Sequence, residues 1–332
     1  VRLGLLAAAR ITDSAVVIPA GKLDDVEVTA VAASTLERAR QAADRWGIAT
    51  AYGSYQELID DPAIDALYIA TPASLHRRWT LAALAAGKHV LCEKPLAANA
   101  ADARTMVQAG LASGKLLMEA FHWRYHPVVT QLRTLLDDGR LGQLRRVEGR
   151  FMLPAGHIPP GDIRWDLALG GGALMDLGCY PAQWLRWAVG AEPRVVSARA
   201  ECPIDQVDGA LHAELAWDHG VTGSIECSMI AEPGPVIVDL VMIGTEATAT
   251  MSNPLAPQHG AELTVCSGNQ VDRIALMGLD TTTYFHQFRA FRDAAATGAA
   301  FPTGGADSIA TMELIDACYL AAGLEPRPTH PL

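Results

Sequence analysis

Aromatic residues fill only 6% of the 332 positions and charged residues only 19%, and lysine accounts for just four of the 26 Lys and Arg. Low charge beside 50% hydrophobic residues excludes a disordered chain. Basic residues are outnumbered, giving a net charge of −11, which argues against a protein that grips nucleic-acid phosphates. No apolar run of about 18 residues occurs, so no membrane-spanning helix is expected. The opening Val1-Arg2-Leu3-Gly4-Leu5-Leu6 is too short and too strand-like for a secretory signal. Paired cysteines are missing as well. Cys92, Cys179, Cys202, Cys227, Cys266 and Cys318 are scattered without a C-x-x-C, which excludes a disulfide framework and a zinc site of familiar spacing. Reduced thiols in a cytoplasmic protein and no metal are the expectation. Internal repeats and low-complexity linkers are absent too.

What is present is a rhythm that changes part-way. The length suits two domains of about 100–200 residues each. Residues 2–6, 26–33, 66–70, 89–92 and 116–118 read as short apolar strands, with helical patterns over 35–46, 54–60, 74–86 and 98–113 between them. Short apolar strands separated by helices predict a doubly wound parallel sheet covered on both faces. Later, 144–152, 195–202, 210–217, 221–228, 236–243, 247–251 and 263–266 read as successive strands, with Asp218-His219-Gly220 as a hairpin turn. Helical patterns over 284–296 and 307–322 close the chain. The expectation is an α/β domain over residues 1–122. An α+β domain on a large open, mainly antiparallel sheet follows over 123–332, with the final helix packing back on the first domain.

Chemistry-bearing segments follow the strand ends. The first turn, Leu6-Ala7-Ala8-Ala9-Arg10-Ile11-Thr12, lies where a dinucleotide-binding unit carries G-x-G-x-x-G, and its three glycine positions read Ala7, Ala9 and Thr12. Small residues are permissive there, although Ala at positive φ costs about 1 kcal/mol, and an ordinary strand-to-helix turn fits equally. The second strand ends in Ala32-Ala33-Ser34-Thr35, without the Asp or Glu that binds both ribose hydroxyls of NAD. Ser34, Thr35 and Arg38 could instead hold a 2′-phosphate, favouring NADP over NAD; a capped helix with an exposed arginine is the alternative. Thr71-Pro72-Ala73-Ser74-Leu75-His76 reaches the carboxyl edge of the sheet, with Ser74 as a natural cap.

Leu91-Cys92-Glu93-Lys94-Pro95-Leu96 carries one of the few lysines at a strand end beside a stiffening proline. Such an ammonium could bond a substrate oxygen and stabilise its developing charge; pairing with Glu93 is the alternative. Gly170-Gly171-Gly172 then opens a helical segment in which Asp176 and Tyr180, four apart, share a face. The carboxylate could orient the phenol, and a nearby lysine would lower its pKa.

Taken in order, Gly4 to Ile11, Ala70 to His76, Ala86 to Pro95, Met118 to Pro127, Gly170 to Tyr180 and Phe285-His286-Gln287-Phe288 resemble the Gfo/Idh/MocA family of nicotinamide-dependent oxidoreductases. The resemblance covers essentially the whole chain. It implies a Rossmann domain and a C-terminal open sheet used for dimerisation or tetramerisation. It also implies Lys94 at the reacting oxygen, Tyr180 as proton donor or acceptor and Asp176 positioning substrate or tyrosine. Tyrosine at this position is shared with the dihydrodiol dehydrogenase and glucose–fructose oxidoreductase branches. The cofactor edge would comprise Ala7, Ala9, Arg10, Ile11, Ser34, Thr35, Arg38, Thr71, Pro72, His76 and Glu93. Trp123, Arg124, Phe151, Arg164 and Trp165 are candidates to line a pocket for a polyhydroxyl small molecule. The implied reaction moves a hydride between NADP or NAD and a secondary alcohol or ketone of a sugar, cyclitol or cyclic diol. The phosphate turn departs from the family pattern, where a glycine generally stands at Ala7. Two other readings stay open: a glycoside hydrolase that oxidises and re-reduces its sugar, and a ligand-binding relative that lost the cofactor.

Overall fold

Runs such as Leu3-Gly4-Leu5-Leu6 and Ala66-Leu67-Tyr68-Ile69 are buried on both sides, the condition a parallel sheet imposes on its central strands. The computed structural model describes residues 1–330. These form two compact units, one of residues 1–124, 284–309 and 329–330, the other of residues 125–283 and 310–328.

The first unit holds six parallel strands: β1 (Arg2–Leu6), β2 (Glu27–Ala32), β3 (Thr50–Tyr52), β4 (Ala66–Ile69), β5 (His89–Cys92) and β6 (Leu117–Glu119). Their order, β3-β2-β1-β4-β5-β6, reverses direction between β1 and β4, and that switch point is where doubly wound sheets bind ligands. Helices cover the strands where the sequence places them, with starts set by local caps. Thr35 caps Leu36–Trp46, Ser54 caps Tyr55–Asp60 and Asn99 caps Ala100–Ser113. Ser74, expected as a cap, lies instead inside Ala73–Ala85, which begins after Pro72 without a side-chain cap bond. After β1 the chain makes a single π turn, Asp13–Val17, and a short helix, Ile18–Ala20.

Ala7 adopts φ 84°, a left-handed conformation that glycine tolerates and alanine does not. Ala7→Gly should therefore raise stability by about 0.5–1 kcal/mol, the relief of strain less the extra chain entropy of glycine. Urea melts of the two proteins test this; an unchanged or lower midpoint contradicts it.

The second unit is built on eight strands: β7 (Leu144–Pro154), β8 (Arg194–Glu201), β9 (Ala210–Ala216), β10 (Thr222–Ala231), β11 (Ile237–Gly244), β12 (Thr248–Ser252), β13 (Leu263–Ser267) and β14 (Gln270–Ile274). Their order is β14-β13-β12-β11-β7-β10-β9-β8, antiparallel except for the β7–β10 pair. The helix Cys179–Val189 packs onto β7 at Gly149, where a Cβ would lie 2.8 Å from Leu185 and 2.9 Å from Pro181. That close approach puts the first turn of the helix, with Tyr180, directly over the sheet. The closing segment divides: residues 284–309 belong to the first unit, whereas 310–328, most of the helix Ala306–Ala321, belong to the second. The final helix expected to return to the first domain is thus held mainly by the second, through contacts such as Arg186 Nη1 donating to Thr311 Oγ1 at 2.6 Å.

Candidate active site

In the first unit the lysine loop is braced from several sides. Glu93 and Lys94 follow β5 directly, and the Lys94–Pro95 peptide is cis. Tyr68 of β4 donates its hydroxyl to Glu93 Oε1 at 2.7 Å, while the Lys94 amide donates to Glu93 Oε2 at 3.2 Å. Burial, then the charge of Glu93, holds the Tyr68 phenol well above its usual pKa, so it stays a donor. Two residues on, the Leu96 amide donates to the fully buried Glu119 Oε1 at 2.7 Å. His76 links this loop to the one after β4. Its Nε2 faces Thr71 O at 2.8 Å, and its Nδ1 faces Pro95 O at 3.1 Å and Leu96 O at 3.2 Å. Its ring thus staples the two strand ends. Burial, against the pull of those carbonyls, keeps its pKa below the ordinary value.

Beside Lys94 stands a histidine that sequence reasoning passed over. His122 is buried and its ring lies 4.1 Å from that of Tyr284. Burial, reinforced by the charge of Lys94, drops its pKa to about 3, so its imidazole is neutral. Trp123 is buried next to it, with the Arg124 guanidinium 5.5 Å from the Trp123 ring.

The edge over β1, β2 and β4 carries the expected cofactor residues. Arg38 Nη1 donates to Ser34 Oγ at 3.1 Å, and the Arg38 amide donates to Thr35 Oγ1 at 3.3 Å. All three residues are exposed, and Arg10 and Ile11 are exposed in the first turn. The hydroxyls of Thr12, Thr71 and Ser74 are buried without a hydrogen-bond partner among the described residues. Buried hydroxyls left unmatched cost free energy, and a ligand rich in phosphate and ribose oxygens is a chemical match for them.

In the second unit Tyr180 is buried between aromatic rings, with Phe151 of β7 at 6.0 Å and Trp184 at 6.1 Å. Asp176 accepts from Arg164 Nε at 2.5 Å, and Arg164 Nη1 donates to Asp162 Oδ1 at 3.0 Å. Burial opposes the Arg164 charge, but Asp176 and Asp162 outweigh it and raise its pKa. Trp165 donates its indole N–H to Ile158 O at 3.4 Å. The structure therefore gathers Phe151, Arg164, Asp176 and Tyr180 in one unit, and Glu93, Lys94, His76 and His122 in the other.

Residues 9–121 match the family described as an oxidoreductase family with an NAD-binding Rossmann fold, and residues 129–250 match the GFO/IDH/MocA C-terminal domain. The chain belongs to the Gfo/Idh/MocA oxidoreductases. The D-xylose 1-dehydrogenase (NADP(+)) 2 of Haloferax volcanii is 34% identical over 92% of this chain and 93% of its own. The trans-1,2-dihydrobenzene-1,2-diol dehydrogenase of Mus musculus is 40% identical over 70% of this chain and 68% of its own. Among solved structures, the 3-ketoreductase KijD10 of Actinomadura kijaniata, in complex with NADP and TDP-benzene, superposes with a TM-score of 0.88. It is 28% identical and covers 97% of both chains. As a member of this family, the chain is an NAD(P)-dependent oxidoreductase whose first unit is the Rossmann domain.

Besides His122, sequence reasoning missed Tyr68 and Glu119 as braces of the lysine loop. Tyr68 lies inside a strand already recognised and Glu119 one position past the end of another, so the available signal was a polar atom in or beside an apolar strand.

Proposed function

We propose that this oxidoreductase interconverts a secondary alcohol and a ketone on a sugar, cyclitol or cyclic diol, with NADP preferred over NAD. Lys94 and Tyr180 act together on the reacting oxygen. The observation that carries the reading is the bracing of Lys94: Glu93 just before it and Leu96 two residues after it are pinned by buried side chains, which suits an ammonium that must meet one atom in one place. Relatives named for xylose, a cyclic diol and a ketone support the substrate class.

When bound, the nucleotide supplies or accepts the hydride. Ser34, Thr35 and Arg38 would hold its 2′-phosphate, and Ala7, Ala9, Arg10, Ile11, Thr71 and Pro72 would line its path across the sheet edge. Lys94 donates a hydrogen bond to the substrate oxygen and stabilises negative charge on it. Tyr180 takes the hydroxyl proton in oxidation and returns it in reduction. Asp176, tied to Arg164, presents a carboxylate for a substrate hydroxyl, while Trp123, Arg124, Phe151 and Trp165 shape the pocket. The chain works as a homodimer or homotetramer through its second sheet, in the cytoplasm; six free thiols suit a reducing compartment.

Fluorescence titration with NADPH and NADH tests the cofactor reading, and nucleotide absorbance with NADP and D-xylose or a cyclic trans-diol tests the reaction. NADPH should bind more tightly. Arg38→Ala should weaken NADPH about tenfold and leave NADH unchanged, because only the 2′-phosphate loses a charged partner. Equal effects on both nucleotides, or no binding of either, would end this reading.

A further inference from the structure

The second unit contains a fully buried ion pair that the proposed chemistry does not use. Arg327 and Asp208 are each at most 1% exposed, and Arg327 Nη2 donates to Asp208 Oδ1 at 2.5 Å. Tyr319, also fully buried, donates its hydroxyl to the same oxygen at 3.0 Å, and the guanidinium lies 3.9 Å over its ring. Asp208 comes from a stretch more than 100 positions away from Tyr319 and Arg327, and the three converge on one turn. Arg327 Nε donates to Gly171 O at 2.6 Å. Asp208 accepts the Ala173 amide at its main-chain oxygen (2.8 Å) and the Leu174 amide at Oδ2 (2.7 Å). Between those contacts sits Gly172, at φ 131°, where a Cβ would come 2.1 Å from Asp208 Oδ1 and 2.6 Å from Arg327 Nη2. Four consecutive residues, 171 to 174, are therefore held by the pair or pressed against it. Asp176 and Tyr180 lie immediately downstream.

We propose that Asp208, Tyr319 and Arg327 are positioning residues that lock the glycine turn and so fix where Asp176 and Tyr180 stand; this rests on the role proposed above for Tyr180. A buried ion pair is a poor device for stability alone, since well-packed apolar residues serve as well or better. Here Arg327 Nε, Asp208 Oδ2 and the Asp208 main-chain oxygen all bond the main chain of one turn, while Arg327 Nη1 reaches Glu325 O at 3.4 Å. That is the arrangement expected where a reacting group must be placed to within about 0.5 Å. Burial pushes the Asp208 carboxyl upward, and Arg327, the Leu174 amide and Tyr319 oppose it.

The test uses the full-length protein, assayed with NADP and D-xylose or a cyclic trans-diol, with NADPH titrations and thermal melts alongside. Tyr319→Phe removes one hydroxyl and should lower kcat a few-fold. Gly172→Ala pushes a methyl into Asp208 and should lower kcat about 10- to 100-fold, the scale expected for a displaced reacting group. Both should keep NADPH affinity within about twofold, because the nucleotide belongs to the other unit, while the substrate KM rises with the displacement of Asp176. Arg327→Met should lose turnover most, and Arg327→Lys should recover part of it. Turnover per folded molecule equal to wild type in Gly172→Ala and Tyr319→Phe would overturn the lock. So would a loss that follows only the folded fraction in the melts. Tyr180→Phe separates the two ideas: if it turns over normally, the catalytic reading itself fails, whatever the lock variants do.

Discussion

Replacing Lys94 by alanine is expected to lower kcat about a thousand-fold, roughly 4 kcal/mol of transition-state stabilisation. The ammonium is assigned two tasks at once, holding the reacting oxygen and easing proton transfer at the phenol, and both vanish with it. Its loop has braces of its own. Glu93 is held by Tyr68 and the main chain, and Leu96 by Glu119, so the loop keeps its shape when the side chain is cut back. NADPH affinity should therefore stay within a few-fold, and the melting profile should move little. Lys94→Arg should not rescue turnover, because a planar fork cannot replace a compact point donor. Steady-state kinetics with nucleotide titration decides the matter. Turnover of Lys94→Ala within tenfold of wild type would remove the lysine from the mechanism.

The second large effect is on stability, and its sign follows from His122. The unfolded chain protonates this histidine near pH 6.5, whereas the folded protein, with the ring buried beside the Lys94 charge, protonates it only near pH 3. Between those values the unfolded state binds the extra proton, so stability is full above about pH 6.5 and is lost as pH falls toward 3. The whole shift corresponds to at most about 5 kcal/mol, and the part between pH 6.5 and 4.5 to about 3 kcal/mol. His122→Phe keeps a ring against Tyr284 and removes the titration. Urea melts should show the wild type losing about 3 kcal/mol more than this variant on going from pH 7 to 4.5. Parallel losses in the two proteins would mean that His122 is not held neutral. His76 and His126, whose pKa values burial also lowers, remain in both proteins and cancel in the comparison.

Much of this molecule was legible because its signals are local. A strand such as His89–Cys92 is marked by its own apolar residues, the turn at Gly220 by Asp218-His219-Gly220, whose glycine takes φ 82°, and the lysine loop by Glu-Lys-Pro at a strand end. Elements without a local signature were passed over. β3 is three residues long and only partly buried, and β14 is an exposed edge strand of mostly polar residues, so neither shows the apolar alternation that reveals a strand. The helix Pro127–Asp137 did carry a signature, a proline in its first turn behind the capping His126, with Val128, Leu132 and Leu135 on its buried side. It lay at the change of rhythm, and residues 128–137 were given no element.

Sequence alone determined the two-unit plan, the family and the lysine and tyrosine on which the chemistry is proposed to rest, because each is written in contiguous residues whose preferences do not depend on the rest of the chain. The tertiary structure alone decided what holds them. Arg327 meets Asp208 across 119 positions, Tyr68 meets Glu93 across 25, and His122 meets Tyr284 from a different segment of the same unit. Such pairings arise from burial, which makes a polar group find whichever partner the fold brings within reach, and no spacing along the chain encodes that partner.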